Sequence, residues 1–264
     1  MENTKYVWPD NEKLVYVSPP NESYTGNLSD FYSSNCFPEL KIIESNWEKI
    51  RDEVLEFERK AGEIRGMDSY SPSEVKGGRW GNIILKHYMW KFFWNMKNFP
   101  LTTSLIESIP NCSFAAFSVL YPKAHIQPHY GDTNGVIRVH LGLIIPDKYP
   151  AIGLKVNDIG KGLQEGKFLC YPDVKKHEAW NYSDHKRYIL ILDLVPNVLK
   201  EKRVEICVRS LGVQSFTFFY KNLMPLRILP QFVHKFLIFC FTLFWRVYLI
   251  LQFIVEKAII NLKK

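Results

Sequence analysis

The sequence predicts a mainly β fold with flanking helices and a C-terminal helical hydrophobic tail. Five short runs rich in β-branched and aromatic residues, at 80–88, 114–121, 137–145, 167–171 and 188–195, are separated by close turn signals. One upstream stretch repeats apolar residues at helical spacing. Near the end, residues 236–255 run for 20 positions with only Thr242, Arg246 and Gln252 clearly polar.

The elements follow in order. Residues 1–37 are rich in Pro, Ser, Asn and Tyr without a sustained period, and read as an irregular arm. From Pro38 to Gly62, Trp47, Ile50, Val54, Leu55 and Phe57 recur at near-helical spacing, with Asn46 as N-cap and Gly62 as stop. Gly66, Pro72, Gly77 and Gly78 mark residues 65–78 as a loop. The five runs come next, broken at Pro122, Gly131-Asp132, Asn134-Gly135, Pro146, Asn157-Asp158 and Pro172. Short strands with close turns predict a sandwich or barrel. Residues 103–109 form one more predicted helix, ended by Pro110. A main domain over 38–200 and a tail over 201–264 result.

Composition bounds the function. The chain has 264 residues, enough for one large domain with an appendage. Hydrophobic residues make up 47% and charged residues 23%, which excludes a disordered or collagen-like chain. The net charge of +7 would point to nucleic acid. Its distribution points elsewhere: from Lys200 onward there are 11 Lys/Arg against 3 Asp/Glu, while residues 1–199 carry 23 against 24. The main body is neutral, so no nucleic-acid partner is expected. The five cysteines are scattered without a C-x-x-C pair, so neither a disulfide framework nor a zinc site is expected. Residues 1–10 hold charges and no apolar core, so no signal peptide is expected. No Gly-rich phosphate-cradling motif occurs.

The chemistry concentrates in two places. The first is His129-Tyr130-Gly131-Asp132-Thr133-Asn134, followed by Arg138-Val139-His140. Arg138 and His140 are two apart on a predicted strand and therefore face the same side. The second is His177-Glu178-Ala179-Trp180-Asn181, followed by Arg187. A lone histidine is more often a surface or satisfied core residue than a ligand. An arginine beside apolar runs is different, because it is almost never buried without a partner. Arg138 and Arg187 therefore point to an anion between them. Two histidines with converging arginines suit iron(II) oxygenase chemistry, which needs imidazole ligands, open coordination positions and a cation for a dicarboxylate.

These residues resemble the aspartyl/asparaginyl β-hydroxylase family of iron(II)/2-oxoglutarate dioxygenases. The spacings are part of the resemblance: 9 from His129 to Arg138, 11 from His129 to His140, and 10 from His177 to Arg187. It covers about residues 80–195 and continues loosely upstream. The family implies a double-stranded β-helix (jelly-roll, cupin-like) core. It implies His129 and His177 as iron ligands, Arg187 as the partner of the distal carboxylate of 2-oxoglutarate, and Ser118 as a serine that also binds this cosubstrate. A guanidinium fork suits a carboxylate in a way that Lys does not. Arg138 and His140 match residues holding the other end of this cosubstrate, and Trp80 a tryptophan near the pocket. Asp173 matches an acid that orients a metal-bound water. Gly131 stands where the usual H-x-D/E triad carries its acid. That glycine favours the branch that hydroxylates the β-carbon of Asp/Asn-type residues in a peptide or protein, with O2 as oxidant. Hydroxylation of a lipid acyl chain, as in relatives acting on lipid A, is the alternative. A non-catalytic membrane-bound binding module of the same fold is a third.

The tail is the last feature. At about 1.5 Å per residue, 20 residues reach about 30 Å, a bilayer core. Arg246 would then sit mid-span, at roughly 2.5–3.5 kcal/mol. On a helical wheel, Lys235, Thr242, Arg246 and Lys257 share a stripe about 60° wide. That pattern suits a helix lying in an anionic membrane surface; the other reading is a helix packed on protein. The expectation is membrane association through about residues 230–256, with a cytoplasmic catalytic domain.

Overall fold

A computed structural model describes residues 6–20, 23–64 and 75–262. Residues 1–5 of the expected arm and 65–74 of the expected loop lie outside the described residues.

The predicted helix over 38–62 is split. Helix α1 (Lys41–Glu44) and helix α2 (Trp47–Ala61) follow a 3-10 turn. Asn46 precedes α2, but its side chain donates back to the carbonyl of Ile42 at 2.8 Å and caps nothing ahead. Gly62 ends α2 at φ +83°, a conformation glycine adopts without strain. The remaining helices are α3 (Phe93–Met96), α4 (Pro100–Glu107), α5 (Arg203–Asn222), α6 (Met224–Arg227) and α7 (Gln231–Leu262). Helix α4 opens at Pro100, a residue suited to the first helical turn, three positions before the predicted start.

The strands are β1 (Val75–Lys76), β2 (Trp80–His87), β3 (Trp90–Lys91), β4 (Cys112–Leu120), β5 (Ala124–His129), β6 (Ile137–Ile144), β7 (Ile152–Val156), β8 (Ile159–Lys161), β9 (Phe168–Pro172), β10 (His177–Asn181) and β11 (Arg187–Leu194). They form a six-stranded sheet, β3-β2-β4-β11-β6-β9, and a five-stranded sheet, β1-β5-β10-β7-β8. All named pairs are antiparallel. From β4 onward the chain alternates between the sheets, apart from the β7–β8 pair within the smaller one, so four strands of each close a double-stranded β-helix. This is the jelly-roll architecture.

Two apolar layers hold the roll. One lies between the sheets and includes Leu120, Ala124, Ile126, Leu154, Val156, Ala179, Ile189 and Ile191. The other packs the outer face of the larger sheet, with Phe117, Val139, Leu141, Leu190 and Leu192, against Ile43, Ile50, Val54, Phe99 and Ile106 of the helices.

The core does not stop at residue 200. Ile206, Cys207 and Leu211 of α5 are buried with Tyr88, Val136, Val195 and Leu199 at one end of the roll. The first helix of the expected tail is thus part of the folded body. Helix α7 packs along α5: a Cβ on Gly212 would meet Thr242 Oγ1 at 2.3 Å, so glycine permits the close approach. Thr242 therefore faces the body, while Lys235, Arg246 and Lys257 are exposed. Within α7, Gln231–Ile259 is long and apolar enough to cross a membrane.

Candidate active site

Strand register assembles the inner wall of the larger sheet. Asp193 lies opposite Arg138, and Ile191 opposite His140. Arg187 lies opposite Leu120, and Ile189 opposite Ser118. Trp80 and Asn82 lie opposite Leu120 and Ser118. Alternation places Trp80, Asn82, Ser118, Arg138, His140 and Arg187 on one face. It is the face turned to the smaller sheet, because Leu120, Ile189 and Ile191 share the core between the sheets.

The smaller sheet supplies the histidines. His129 ends β5, His177 begins β10, and the two are direct partners across the ladder. Their ring centroids are 4.2 Å apart. Each ring is oriented by its own strand: His129 Nδ1 meets the carbonyl of Gln127 at 2.8 Å, and His177 Nδ1 meets that of Lys175 at 2.7 Å. A carbonyl only accepts, so Nδ1–H donates in both, and Nε2 is the nitrogen with a lone pair. Burial, and then the neighbouring His129, push the His177 pKa well below the usual imidazole range. It is neutral at pH 7, the form that ligates a metal.

Asp173 stands beside this pair. Its Oδ1 lies 3.5 Å from His177 Nε2 and also pairs with Arg138. Burial pushes its pKa up to about 7, against the pull of Arg138. Gly131 fits this arrangement. Its N–H donates to the Asp173 carbonyl at 2.9 Å, and a Cβ there would meet Asp173 Oδ2 at 2.0 Å. No side chain fits at position 131, and the carboxylate of Asp173 fills the space. Asp132 turns away to accept from Tyr88 and from Gln214 of α5.

The two arginines differ. Arg138 forks onto Asp193, Nε to Oδ1 and Nη2 to Oδ2, both at 2.8 Å. With Asp173 on its third nitrogen, its anions come from this chain, and the expectation of an external anion at Arg138 is not met. Arg187 is 1% exposed, and its Nε and Nη1 have no hydrogen-bond partner. Among the described residues no carboxylate pairs with it. Burial lowers its pKa to about 10, which leaves it cationic at pH 7.

Two more groups on the inner wall lack partners: Asn82 Oδ1 and His140 Nδ1. His140 Nε2 meets the Tyr171 hydroxyl at 3.1 Å, and burial, Arg187 and Arg138 keep its ring neutral. Trp80 Nε1 donates to Ser118 Oγ at 2.8 Å. The structure thus joins His129, His177, Asp173 and Arg138 in one contact group, and Trp80 with Ser118 in another on the wall that carries Arg187. Sequence reasoning missed Asn82, Tyr171 and Asp193. Asp193 left a signal, as the lone acid within the apolar run 188–195.

Buried polar atoms without partners are rare and mark a place for a ligand or water. Three of the residues that carry such atoms, Asn82, His140 and Arg187, lie together on one wall of a double-stranded β-helix that also carries a histidine pair. A cupin-like enzyme core is the class this defines. The Aspartyl/Asparaginyl beta-hydroxylase family matches residues 44–196, and the chain belongs to that family. It is 33% identical to an ornithine lipid ester-linked acyl 2-hydroxylase of Rhizobium tropici over 72% of this chain and 66% of that one. It is 32% identical to the human aspartyl/asparaginyl beta-hydroxylase over 59% of this chain, but spans only 21% of that protein. A cupin-like protein of Thermotoga maritima overlaps 51% of this chain and 80% of its own at 12% identity and TM-score 0.32, too slight an overlap to add to the topology. The family match ends before α5 begins.

Proposed function

We propose that this hydroxylase-family protein is an iron(II)/2-oxoglutarate-dependent dioxygenase that hydroxylates an unactivated C–H of a lipid acyl chain. The observation that carries the cosubstrate is Arg187: a fully buried guanidinium with two unpartnered nitrogens calls for a carboxylate from outside the chain. The donor set fits the metal as well. His129 and His177 offer two imidazoles, each with its Nδ1–H committed to a backbone carbonyl. Two imidazoles leave coordination positions open for a chelating cosubstrate.

Iron with 2-oxoglutarate and O2 supplies the oxidising power for C–H hydroxylation, yielding succinate and carbon dioxide. The chain's own residues bind and orient. His129 and His177 hold the metal, each fixed by its Nδ1–H bond to a backbone carbonyl. Arg187, with Ser118 held by Trp80, takes the distal carboxylate. His140 lies on the same wall, fixed by Tyr171, and serves the near end. Asp173 holds a water beside the histidine pair, and its contact with Arg138 keeps it there.

Arg138 decides the substrate class. It is the cation in contact with the acid of the histidine group, and Asp173 and Asp193 already neutralise it. An Asp side chain entering there would find that guanidinium already shared by two acids of the chain, whereas an acyl chain needs no cation. The peptide reading keeps its own support, the missing acid at Gly131 and the likeness to the human aspartyl/asparaginyl beta-hydroxylase, and product analysis on both substrates decides between them. The non-catalytic reading predicts no turnover at all.

Arg187→Lys tests the cosubstrate site. A point charge replaces the fork, so the apparent KM for 2-oxoglutarate should rise at least about tenfold while iron content stays unchanged. An unchanged KM would remove Arg187 from the site.

A further inference from the structure

We propose that α5 and α7 form a single-leaflet docking device, which seats the outer face of α7 in an anionic bilayer at the end of the roll where His129 stands. That an acyl chain reaches the site from this leaflet rests on the function proposed above; the docking itself does not.

The inner face of α7 is already occupied. Trp245 Nε1 donates to Ser215 Oγ of α5 at 2.8 Å. Gln252 Oε1 accepts from the Lys91 backbone N–H at 3.1 Å, and its Nε2 donates to the Met89 carbonyl at 3.3 Å. Glu256 pairs with Lys91 at 2.9 Å, and Lys91 also pairs with Glu107. These contacts fix about 20 Å of helix, from Thr242 to Glu256, along the body. A helix bound in this way does not stand across a bilayer. Crossing would carry Lys91, Glu107 and the β2–β3 turn into hydrocarbon, or break every one of these bonds.

Among the described residues the outer face has no such hydrogen-bond partners. Phe236, Phe239, Leu243, Phe244, Val247 and Ile254 are each at least half exposed, Phe239 at 63%. The surface continues onto the α5–α7 connection, where Met224 is 77% and Ile228 85% exposed. Apolar patches of this extent mark an interaction surface. Charge chooses the occupant. Lys235, Arg246 and Lys257 are exposed and recur every 11 residues, three helical turns, so they form one line along the edge of the apolar face. Lys257 Nζ already lies over the Phe253 ring at 4.5 Å, its stem lying on the apolar surface and its charge at the edge. A basic line bordering a wide apolar face fits an anionic lipid surface.

The device is joined to the site. Gln214 of α5 meets His87 Nε2 at 2.6 Å and donates to Asp132, three residues past His129. Seating α7 in a leaflet therefore also sets where the His129 loop stands relative to that leaflet.

Flotation of the full chain with sealed vesicles tests the proposal independently of turnover. Vesicles of equal parts phosphatidylglycerol and phosphatidylcholine should carry the protein, with at least about tenfold weaker binding to pure phosphatidylcholine. Phe239→Gln/Leu243→Gln/Val247→Gln should weaken binding at least about tenfold at unchanged Tm. In a Cys36→Ser/Cys240→Ser background, a membrane-impermeant maleimide should label bound Asn222→Cys, ahead of α7, and bound Lys257→Cys, near its end, alike, since single-leaflet docking leaves both outside. Protection of either one would overturn the proposal in favour of a span. Undiminished vesicle binding by the triple variant would overturn it too. So would a stable dimer that ignores vesicles, because the face would then belong to a second copy. If docking holds and no lipid product forms, the proposed function fails alone.

Discussion

Alanine at position 177 should abolish 2-oxoglutarate turnover. His177 is buried, neutral and aimed by its bond to the Lys175 carbonyl, as the proposed ligand role requires. Removing it leaves one imidazole for a metal that the chain otherwise offers two. Iron affinity should fall by more than about a hundredfold, since even substitutions one layer behind a ligand reach that size. Iron per chain and succinate formation measure the effect, and His129→Ala should behave alike. Circular dichroism should show both variants folded, because the apolar layers lie elsewhere. Wild-type-like turnover in either would remove the histidine pair from the chemistry.

Asp193→Ala should be the most damaging substitution to the fold. Asp193 is fully buried and receives both prongs of Arg138. Its loss strands a guanidinium in the wall with Asp173 alone. Breaking a buried, hydrogen-bonded pair by removing one partner costs about 3–5 kcal/mol. For a body of this size that lowers Tm by roughly 10 °C. Asp193→Asn keeps an acceptor and should lose less. Thermal unfolding reads both. An unchanged Tm in the alanine variant would mean that Asp193 does not hold Arg138 in place.

The fold was half legible, and the division has a physical cause. The five predicted runs correspond to β2, β4, β6, β9 and β11, all in the larger sheet. That sheet is covered on both faces, so its strands read as continuous apolar stretches. The smaller sheet went unseen apart from its turns. Its outer face meets solvent through His125, Gln127, Lys155 and Glu178, which dilute the apolar signal in β5, β7 and β10. His129 and His177 sit in those unseen strands, so they were found through motif spacing and not through periodicity. Arg187 was legible as a charge opening an apolar run. The engagement of Arg138 was not, because Asp193 is 55 residues away and only register brings the two together. The place of α5 in the body was hidden for a similar reason: its buried face is apolar, but so is most of the tail around it.

Hydroxylation of an acyl chain, coupled to 2-oxoglutarate, is open to direct measurement. The most direct test incubates the iron-loaded full chain, 2-oxoglutarate and O2 with acyl lipids in vesicles or with Asp/Asn-containing peptides. Succinate is followed together with the mass of each substrate. Lipid should gain one oxygen on the acyl chain in step with succinate, and peptides should stay unchanged. Peptide gaining that oxygen while lipid stays unmodified would contradict the proposed function.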